Sequence, residues 1–271
     1  MATGPTPSLE GVESYYADGV KNFLRVTESP DDFIGQLSEA HRRFNQKEEP
    51  AEEQVRAWRS EVIFLRKFLE EANIPDAYLI LEMLVGQTRE RADAVICGRD
   101  EQSNAQVSLL ELKTWHTSRR NSRRYDIHPF HSPRGKGLFI NLYTYDQEAI
   151  AQVSSSFEVD PREQVLRYRD QLCRVLKGSY PSLDSEKIVH ASALLYNCTK
   201  LSEKFRQALD YNFQPNVFEQ VPIYTRRAEN GSRSIGELSE LLRARAAKGE
   251  GVDVFNKLMA AISKFRTNNG Q

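Results

Sequence analysis

A strongly apolar run from residue 106 to residue 115 carries two charges, and this combination restricts the folds open to the chain. Its apolar residues fall on both faces of a strand, which is typical of a central strand covered on both sides. Side chains alternate along a strand, so Glu111 and Lys113 project from one face, about 7 Å apart. Buried charges are costly unless they are paired or bind something. The run therefore predicts either a core salt bridge or a functional site.

A third charged residue opens a neighbouring apolar run. Asp93 lies near the start of residues 91–98, and the polar residues 99–105 that follow are typical of a turn. The two runs therefore predict an antiparallel hairpin, which brings Asp93 towards Glu111. One lysine cannot neutralise two converging carboxylates, whereas a divalent cation can. Carboxylate oxygens with few or no His or Cys ligands favour Mg²⁺ or Mn²⁺ over zinc.

Composition narrows the class of protein. The chain has 271 residues, 39% of them hydrophobic and 28% charged, as expected for a globular protein of one large or two small domains. Its formal net charge of −1 gives no global sign of nucleic-acid binding, so any basic surface must be local. The three cysteines are widely spaced, and no signal peptide or membrane-spanning apolar run is present. These features predict a cytoplasmic protein without a membrane partner.

Hydrophobic periodicity predicts the remaining elements. Helices are predicted over residues 30–44, 52–72, 161–176, 236–247 and 252–265. Strands are predicted over residues 77–85, 91–98, 106–115, 138–145 and 187–197, and residues 12–23 form a short element of either type. Glu82 interrupts the strand at 77–85, where it either faces solvent at a sheet edge or adds a ligand for a metal or a water.

The segment 116–136 concentrates positive charge directly behind the Glu111 strand. It has six basic residues against the single acid Asp126, with aromatic residues between them. This pattern predicts a loop that crosses a phosphate backbone, although a solvated charged face has the same composition. The basic residues predicted to bind nucleic acid are Arg119, Arg120, Arg123, Arg124, Arg134 and Lys136.

Two short motifs carry a family resemblance. Asp93, followed by Glu111-Leu112-Lys113 on the next strand, resembles the PD-(D/E)xK nuclease superfamily. Gln164 and Tyr168 lie one turn apart on the predicted helix 161–176, and they resemble the RecB-type, Cas4-like signature of that superfamily. A packed tyrosine beside a surface glutamine is the structural alternative for this pair.

Further motifs are similar to the N-terminal nuclease-like region of bacterial proteins whose C-terminal half is a Schlafen-group-3-like helicase. The resemblance covers most of residues 52–258, and its motifs are Trp58, Leu81-Glu82 and residues 92–98, 110–115, 161–168 and 191–197. No Gly-x-x-x-x-Gly-Lys-Ser/Thr loop occurs in the sequence. The expectation is therefore either a stand-alone nuclease or one whose helicase or ATPase motor lies on a separate partner chain.

The resemblance implies an α/β fold with a restriction-endonuclease-like αβββαβ core around a mixed central sheet. It places an N-terminal helical extension at residues 1–51 and the nuclease core at residues 52–220. Residues 221–271 are expected to form a C-terminal helical appendage suited to docking.

The resemblance also implies roles for the site residues. Asp93, Glu111 and the Leu112 carbonyl would hold Mg²⁺ or Mn²⁺. Lys113 would orient the attacking water and stabilise the charge that develops on the phosphate.

Four further residues are expected around this centre. Glu82 and Glu61 would complete a second metal site or the water shell, although Glu61 equally fits an acid at the edge of its helix's apolar stripe. Gln164 and Tyr168 would position the phosphate or the Lys113 side chain.

Together these expectations describe a metal-dependent nuclease that hydrolyses phosphodiester bonds of DNA, in anti-phage defence or DNA repair. Two alternatives come from other classes: a non-catalytic nucleic-acid-binding or helicase-docking module that keeps the fold, and an RNase. The sequence leaves the oligomeric state open.

Overall fold

The chain forms an α/β structure around a seven-stranded mixed sheet. The computed structural model describes residues 14–85, 91–114, 161–198 and 221–268, and it describes the backbone of the strands at 123–131, 138–146 and 151–159.

The strands are β1 (Tyr16–Gly19), β2 (Tyr78–Leu84), β3 (Arg91–Arg99), β4 (Ala105–Leu112), β5 (Arg123–His131), β6 (Leu138–Asp146), β7 (Ala151–Val159), β8 (Val189–Leu194), β9 (Ile223–Thr225) and β10 (Arg233–Ser234). The helices are α1 (Val20–Val26), α2 (Pro30–Phe44), α3 (Glu52–Ala72), α4 (Pro161–Ser179), α5 (Ser185–Ile188), α6 (Ile235–Arg245) and α7 (Gly251–Asn268). The strand predicted over 187–197 is shorter in the structure, because α5 takes its first residues.

The central sheet has the strand order β1-β2-β3-β4-β8-β9-β10. Strands β1 to β4 are antiparallel, whereas β4, β8, β9 and β10 run parallel to one another. A parallel pair needs a long crossover, and α4 lies within the one that joins β4 to β8. The predicted succession of a helix, three strands, a helix and a strand is therefore present as α3, β2 to β4, α4 and β8.

Strands β5, β6 and β7 form a separate three-stranded antiparallel sheet between β4 and α4. The prediction of a loop throughout residues 116–136 was wrong for residues 123–131, which pair along their whole length with β6. Pairing with a segment further along the chain decided this, and the charge pattern gave no sign of it.

Helices cover both faces of the central sheet, which confirms the prediction that β4 is buried on both sides. Leu110 and Leu112 of β4 enter one core, whereas Val107 and Leu109 enter the other. The first core, on the side of α1, α2, α3 and α6, includes Phe23, Phe33, Leu37, Trp58, Val62, Leu65, Leu69, Leu79, Leu81, Ala94, Ile96, Leu238 and Leu242. The second core, on the side of α4 and α7, includes Ile80, Met83, Ala92, Val95, Val165, Tyr168, Leu172, Phe255, Leu258 and Ile262.

The N-terminal and C-terminal segments both contribute strands to this sheet. Tyr16 of β1 pairs with Leu81 at one edge, and Ile223 of β9 pairs with Ala193 near the other. Phe255 of α7 stacks on Tyr78, with 4.2 Å between the ring centroids. The apolar face of α7 is therefore part of the chain's own core.

Gly251 opens α7 where the helix meets the backbone of the sheet. A Cβ at this position would lie 2.3 Å from the Tyr78 nitrogen and 2.7 Å from the Cys97 oxygen. We expect Gly251→Ala to lower the free energy of unfolding by about 1–3 kcal/mol, because backbone atoms cannot move aside cheaply. Urea denaturation measures the change.

Gly35→Ala in α2 is the matched control, because a Cβ there would meet nothing within 4 Å. It should raise stability by about 0.5–1 kcal/mol, since alanine loses less backbone entropy in a helix. Equal unfolding midpoints for the two variants would contradict the tight packing of α7 on β2.

Candidate active site

The ends of β3 and β4 bring the two predicted catalytic carboxylates together. The antiparallel ladder between these strands runs from Arg99 and Ala105 to Ala94 and Leu110, so the next residues along it are Asp93 and Glu111. The Leu112 amide donates a hydrogen bond to Asp93 Oδ2 over 2.7 Å. The predicted hairpin is thus confirmed, and Asp93 contacts the backbone between Glu111 and Lys113.

Glu111 is the most deeply buried carboxylate of the site. Its side chain is 1% exposed, and its Oε1 lies 3.0 Å from Lys113 Nζ, which is 18% exposed. The salt bridge that the sequence predicted is therefore present. Lys113 lowers the pKa of Glu111 through its charge and as a hydrogen-bond donor, so Oε1 is paired. The other oxygen, Oε2, has no donor among the described residues. A buried carboxylate oxygen without a donor is costly, and a bound cation would remove that cost.

Glu82 lies in the middle of β2 with a left-handed backbone, at a φ of 52°. This residue shifts the strand's alternation: Leu81 enters the first core, but Met83 enters the second. Ala92 and Ala94 on the paired strand β3 show the same shift around Asp93. A positive φ at a residue other than glycine costs about 1–3 kcal/mol, and inside a strand such a residue is a candidate for a functional role.

The shifted backbone places the half-buried Glu82 side chain beside α3. Trp58 Nε1 donates a hydrogen bond to Glu82 Oε1 over 2.7 Å, and Arg91 donates to the Glu82 carbonyl oxygen over 3.0 Å. The guanidinium of Arg91 lies in turn 4.6 Å from the ring centroid of Tyr15. The interpretation of Glu82 as a solvent-facing edge residue is therefore wrong, because its carboxylate accepts a hydrogen bond from a buried indole.

Glu61 of α3 joins these residues in one electrostatic unit, here called the acidic cluster: Glu61, Glu82, Asp93 and Glu111. Burial raises the pKa of Glu61 well above its ordinary value, and the other three carboxylates raise it further. Burial also raises the pKa of Glu82 to about 7, with Asp93 as the next cause. Four carboxylates from four different elements therefore disfavour one another's charge.

The pKa values of Asp93 and Glu111 are raised by some of their neighbours and lowered by others. Burial raises the pKa of Asp93, whereas Lys113 and the Leu112 amide lower it. Burial and then Asp93 raise the pKa of Glu111 well above its ordinary value, and Lys113 opposes them. The desolvation of these two groups outweighs the charge that Lys113 supplies.

The donor chemistry of the acidic cluster fits a hard divalent cation. Its groups are carboxylates, and the Leu112 carbonyl lies on the same strand edge as the amide that contacts Asp93. Within the described ranges, no three His, Cys, Asp or Glu side chains are already arranged to hold an ion. Glu82 is instead bound to Trp58, and Asp93 to Leu112. Asp93, Glu111 and the Leu112 carbonyl are the groups that would hold a cation.

Gln164 and Tyr168, the pair predicted on α4, contact each other. Gln164 Nε2 donates a hydrogen bond to the Tyr168 hydroxyl over 2.8 Å, and Tyr168 is 1% exposed in the second core. Glu111 follows Val107 and Leu109 in the β4 alternation, so it lies on the face that α4 covers. The pair therefore lies on the same side of the sheet as Glu111 and Lys113.

All six predicted nucleic-acid contacts fall outside the described side chains. Arg123 and Arg124 begin β5, of which only the backbone is described, and Arg119, Arg120, Arg134 and Lys136 lie outside the described residues. A surface cavity of about 770 Å³ lies beside residues 105–107, at the other end of β4, and shares no lining residue with the acidic cluster. We therefore do not assign it to the same site.

Sequence reasoning missed three residues around the acidic cluster: Arg91, Tyr196 and, as a partner of Glu82, Trp58. The sequence predicts Trp58 on the apolar stripe of its helix and places both Trp58 and Tyr196 in motifs of the family resemblance, but it gives neither a role at the site. Their contacts join α3, β2, β3 and the end of β8. No local pattern marks such residues, because each acquires its role from a partner remote in the chain.

Comparison of the chain with protein-family models, curated proteins and solved structures found no match. In the part of the chain that the structure describes, no helix combines the length and the apolar composition needed to cross a membrane.

The raised pKa of Glu82 predicts how pH affects stability. Its pKa rises from an ordinary 4.5 to about 7, so the folded protein holds more protons than the unfolded chain between these values. The free energy of unfolding of metal-free protein should therefore fall as pH rises through this range, and each pKa unit corresponds to about 1.4 kcal/mol. Urea denaturation from pH 4.5 to pH 8 in EDTA measures the fall.

Glu82→Gln should flatten this pH dependence, because the variant has no carboxyl at the position. Glu186→Gln in α5 is the control, since Glu186 is exposed, and it should leave the dependence unchanged. A stability that rises with pH in the wild-type protein would contradict the electrostatics described here.

Proposed function

We propose that this protein is a Mg²⁺- or Mn²⁺-dependent nuclease of the PD-(D/E)xK type, with a restriction-endonuclease-like core, that hydrolyses phosphodiester bonds of DNA. The observation that carries the proposal is the convergence of Asp93, Glu111 and Lys113 where the β3 and β4 ladder ends. The buried Glu111 Oε2, which has no donor among the described residues, supports it further. The order α3, β2 to β4, α4 and β8 is the one that such a core requires.

The roles of the central residues follow from their positions. Asp93, Glu111 and the Leu112 carbonyl would hold the cation, which when bound neutralises phosphate charge and lowers the pKa of a water. Lys113 Nζ lies 3.0 Å from Glu111 Oε1, so its positive charge stands beside the place where the phosphate reacts. There it orients the attacking water and stabilises the negative charge that develops on the phosphate oxygens.

The surrounding residues hold this centre in place. Trp58 fixes one Glu82 oxygen, and the other oxygen is left to bind a water or a second cation. Gln164 uses its amide nitrogen on Tyr168, so its amide oxygen is the group proposed to position Lys113 or the substrate. Glu61 extends the acidic cluster on the side of α3.

A specific observation favours an enzyme over a non-catalytic docking module with the same fold. A docking module gains nothing from a buried carboxylate oxygen that has no hydrogen-bond donor, because that arrangement only lowers stability. DNA as substrate, a separate helicase or ATPase partner, and a setting in anti-phage defence or repair rest on the family resemblance alone.

Glu111→Gln tests the proposal. The amide keeps the shape of the side chain but cannot bind a cation, so cation-dependent cleavage should fall by at least about 100-fold. The metal-free variant should be at least as stable as the wild-type protein, since a buried negative charge is gone. Cleavage of labelled DNA and RNA with Mg²⁺, Mn²⁺ or EDTA, together with melting curves, measures both effects.

The exposed Glu186→Gln in α5 again serves as the control and should cleave like the wild-type protein. Wild-type cleavage by Glu111→Gln would refute the proposed centre. Cleavage of RNA alone would change the substrate, and DNA binding without any cleavage would support the docking module.

The basic segment predicts a salt dependence of DNA binding. If Arg119, Arg120, Arg123 and Arg124 contact phosphates, replacing all four with Ser should flatten the log-log salt dependence of affinity by roughly three units. Binding of unrelated sequences should weaken alike. Fluorescence anisotropy over a range of salt concentrations measures the slope.

A control variant carries the same loss of charge at exposed positions of the described helices: Lys21, Arg56, Lys67 and Lys264, each changed to Ser. Its slope should stay close to that of the wild-type protein. An unchanged slope in the variant of the basic segment would place the DNA elsewhere on the protein.

A further inference from the structure

Tyr196 lies in the turn after β8 and packs against the helix that carries Glu61. Its side chain is 2% exposed, and its ring stacks on Phe64 of α3 with a centroid distance of 4.6 Å and an interplanar angle of 15°. Phe64 follows Glu61 by one helical turn, so the two side chains share a face of α3. The stacking directs Tyr196 towards the part of α3 that borders the acidic cluster.

The Tyr196 hydroxyl is buried, and no acceptor of normal geometry for its proton is found among the described residues. Burial raises the pKa of this phenol most, a hydrogen bond from the Ser60 side chain lowers it, and the charges of Glu61 and Asp93 raise it further. The hydroxyl therefore remains a proton donor, with two carboxylates of the acidic cluster near it. Buried polar groups are almost always paired, so an unpaired donor beside carboxylates indicates a partner that arrives with a ligand.

The turn that carries Tyr196 is tied to the end of β4. The Lys113 amide donates to the Leu194 carbonyl over 2.9 Å, and Asn197 Nδ2 donates to the Thr114 carbonyl over 3.2 Å. Arg226 donates to the Tyr196 carbonyl over 3.1 Å. The position of the phenol is thus fixed relative to the Glu111 and Lys113 strand, as a group that orients a site must be.

We propose that Tyr196 is a positioning residue of the active site, whose hydroxyl donates a hydrogen bond to the Glu61 carboxylate when a divalent cation occupies the acidic cluster. The inference rests on the proposed cation-dependent function and adds a residue to it. A bound cation favours the ionised form of the carboxylates in the cluster. The Tyr196 hydroxyl at the border of the cluster then stabilises the ionised Glu61 by donating a hydrogen bond to it. Hydrogen bonds of this kind typically change metal affinity by 10-fold to 100-fold.

Tyr196→Phe removes the hydroxyl and keeps the ring that stacks on Phe64. We expect Mn²⁺ to bind the full-length variant about 10-fold more weakly than the wild-type protein, measured by calorimetry and by the rise in Tm with Mn²⁺ concentration. The Tm without metal should stay the same or rise, because an unpaired buried hydroxyl has been removed. A purely structural role would lower that Tm and leave the affinity unchanged.

Tyr16→Phe is the matched control. The Tyr16 hydroxyl is also buried without an acceptor of normal geometry for its proton in the described part of the chain. The groups that shift its pKa, Asp18 and Asn22 among them, include no carboxylate of the acidic cluster. Removal of this hydroxyl should leave Mn²⁺ affinity at the wild-type value. Combining Tyr196→Phe with Glu61→Gln should weaken binding no more than Glu61→Gln alone, because the hydroxyl acts through that carboxylate.

The outcomes separate the two proposals. If the wild-type protein gains no stability from Mn²⁺ or Mg²⁺, both the proposed function and the role of Tyr196 are overturned. If the wild-type protein binds the cation and Tyr196→Phe binds it as tightly, the role of Tyr196 alone is overturned. Additive losses in the double variant would overturn the route through Glu61.

Discussion

The carboxylate of Glu111 is held in a strand covered on both faces, 1% exposed and 3.0 Å from the Lys113 ammonium. Little water reaches this group, so Asp93 and Glu82 raise its pKa, and Glu111 in turn raises the pKa of Glu61. Removing two charges from water costs more than one ion pair returns unless their remaining bonds are satisfied. The protein therefore keeps a destabilising arrangement of charges at its centre. Binding of the proposed cation would turn this cost in free energy into a gain.

The rest of the fold keeps that arrangement from collapsing. At Glu82 of β2 and Asp93 of β3, the side chains stop alternating regularly between the two faces of the sheet. This irregularity turns the two carboxylates inward. Hydrogen bonds from Trp58 and from the Leu112 amide then fix one oxygen of each. Because helices pack on both faces of the sheet, a change in the backbone at these two positions would disturb both cores.

The C-terminal segment belongs to this support. Strands β9 and β10 extend the sheet beyond β8, and α7 fills the second core beneath β2 and β3. The pairing of β8 with β4 places Leu194 opposite Leu112, and the turn that follows brings Tyr196 to the border of the acidic cluster. The acidic cluster consists of residues between 61 and 111, but the strands that carry it pack against elements formed by residues 161 to 267.

The sequence alone determined the elements whose partners are close by in the chain. The apolar stripe of α3 gave its bounds, and the alternation of β3 and β4 with a short polar turn predicted the hairpin that joins Asp93 to Glu111. Only the tertiary structure decided the positive φ of Glu82, the burial of α7 and the position of Tyr196. Local sequence cannot specify these features, because each depends on backbone pairing or packing with residues far away in the chain.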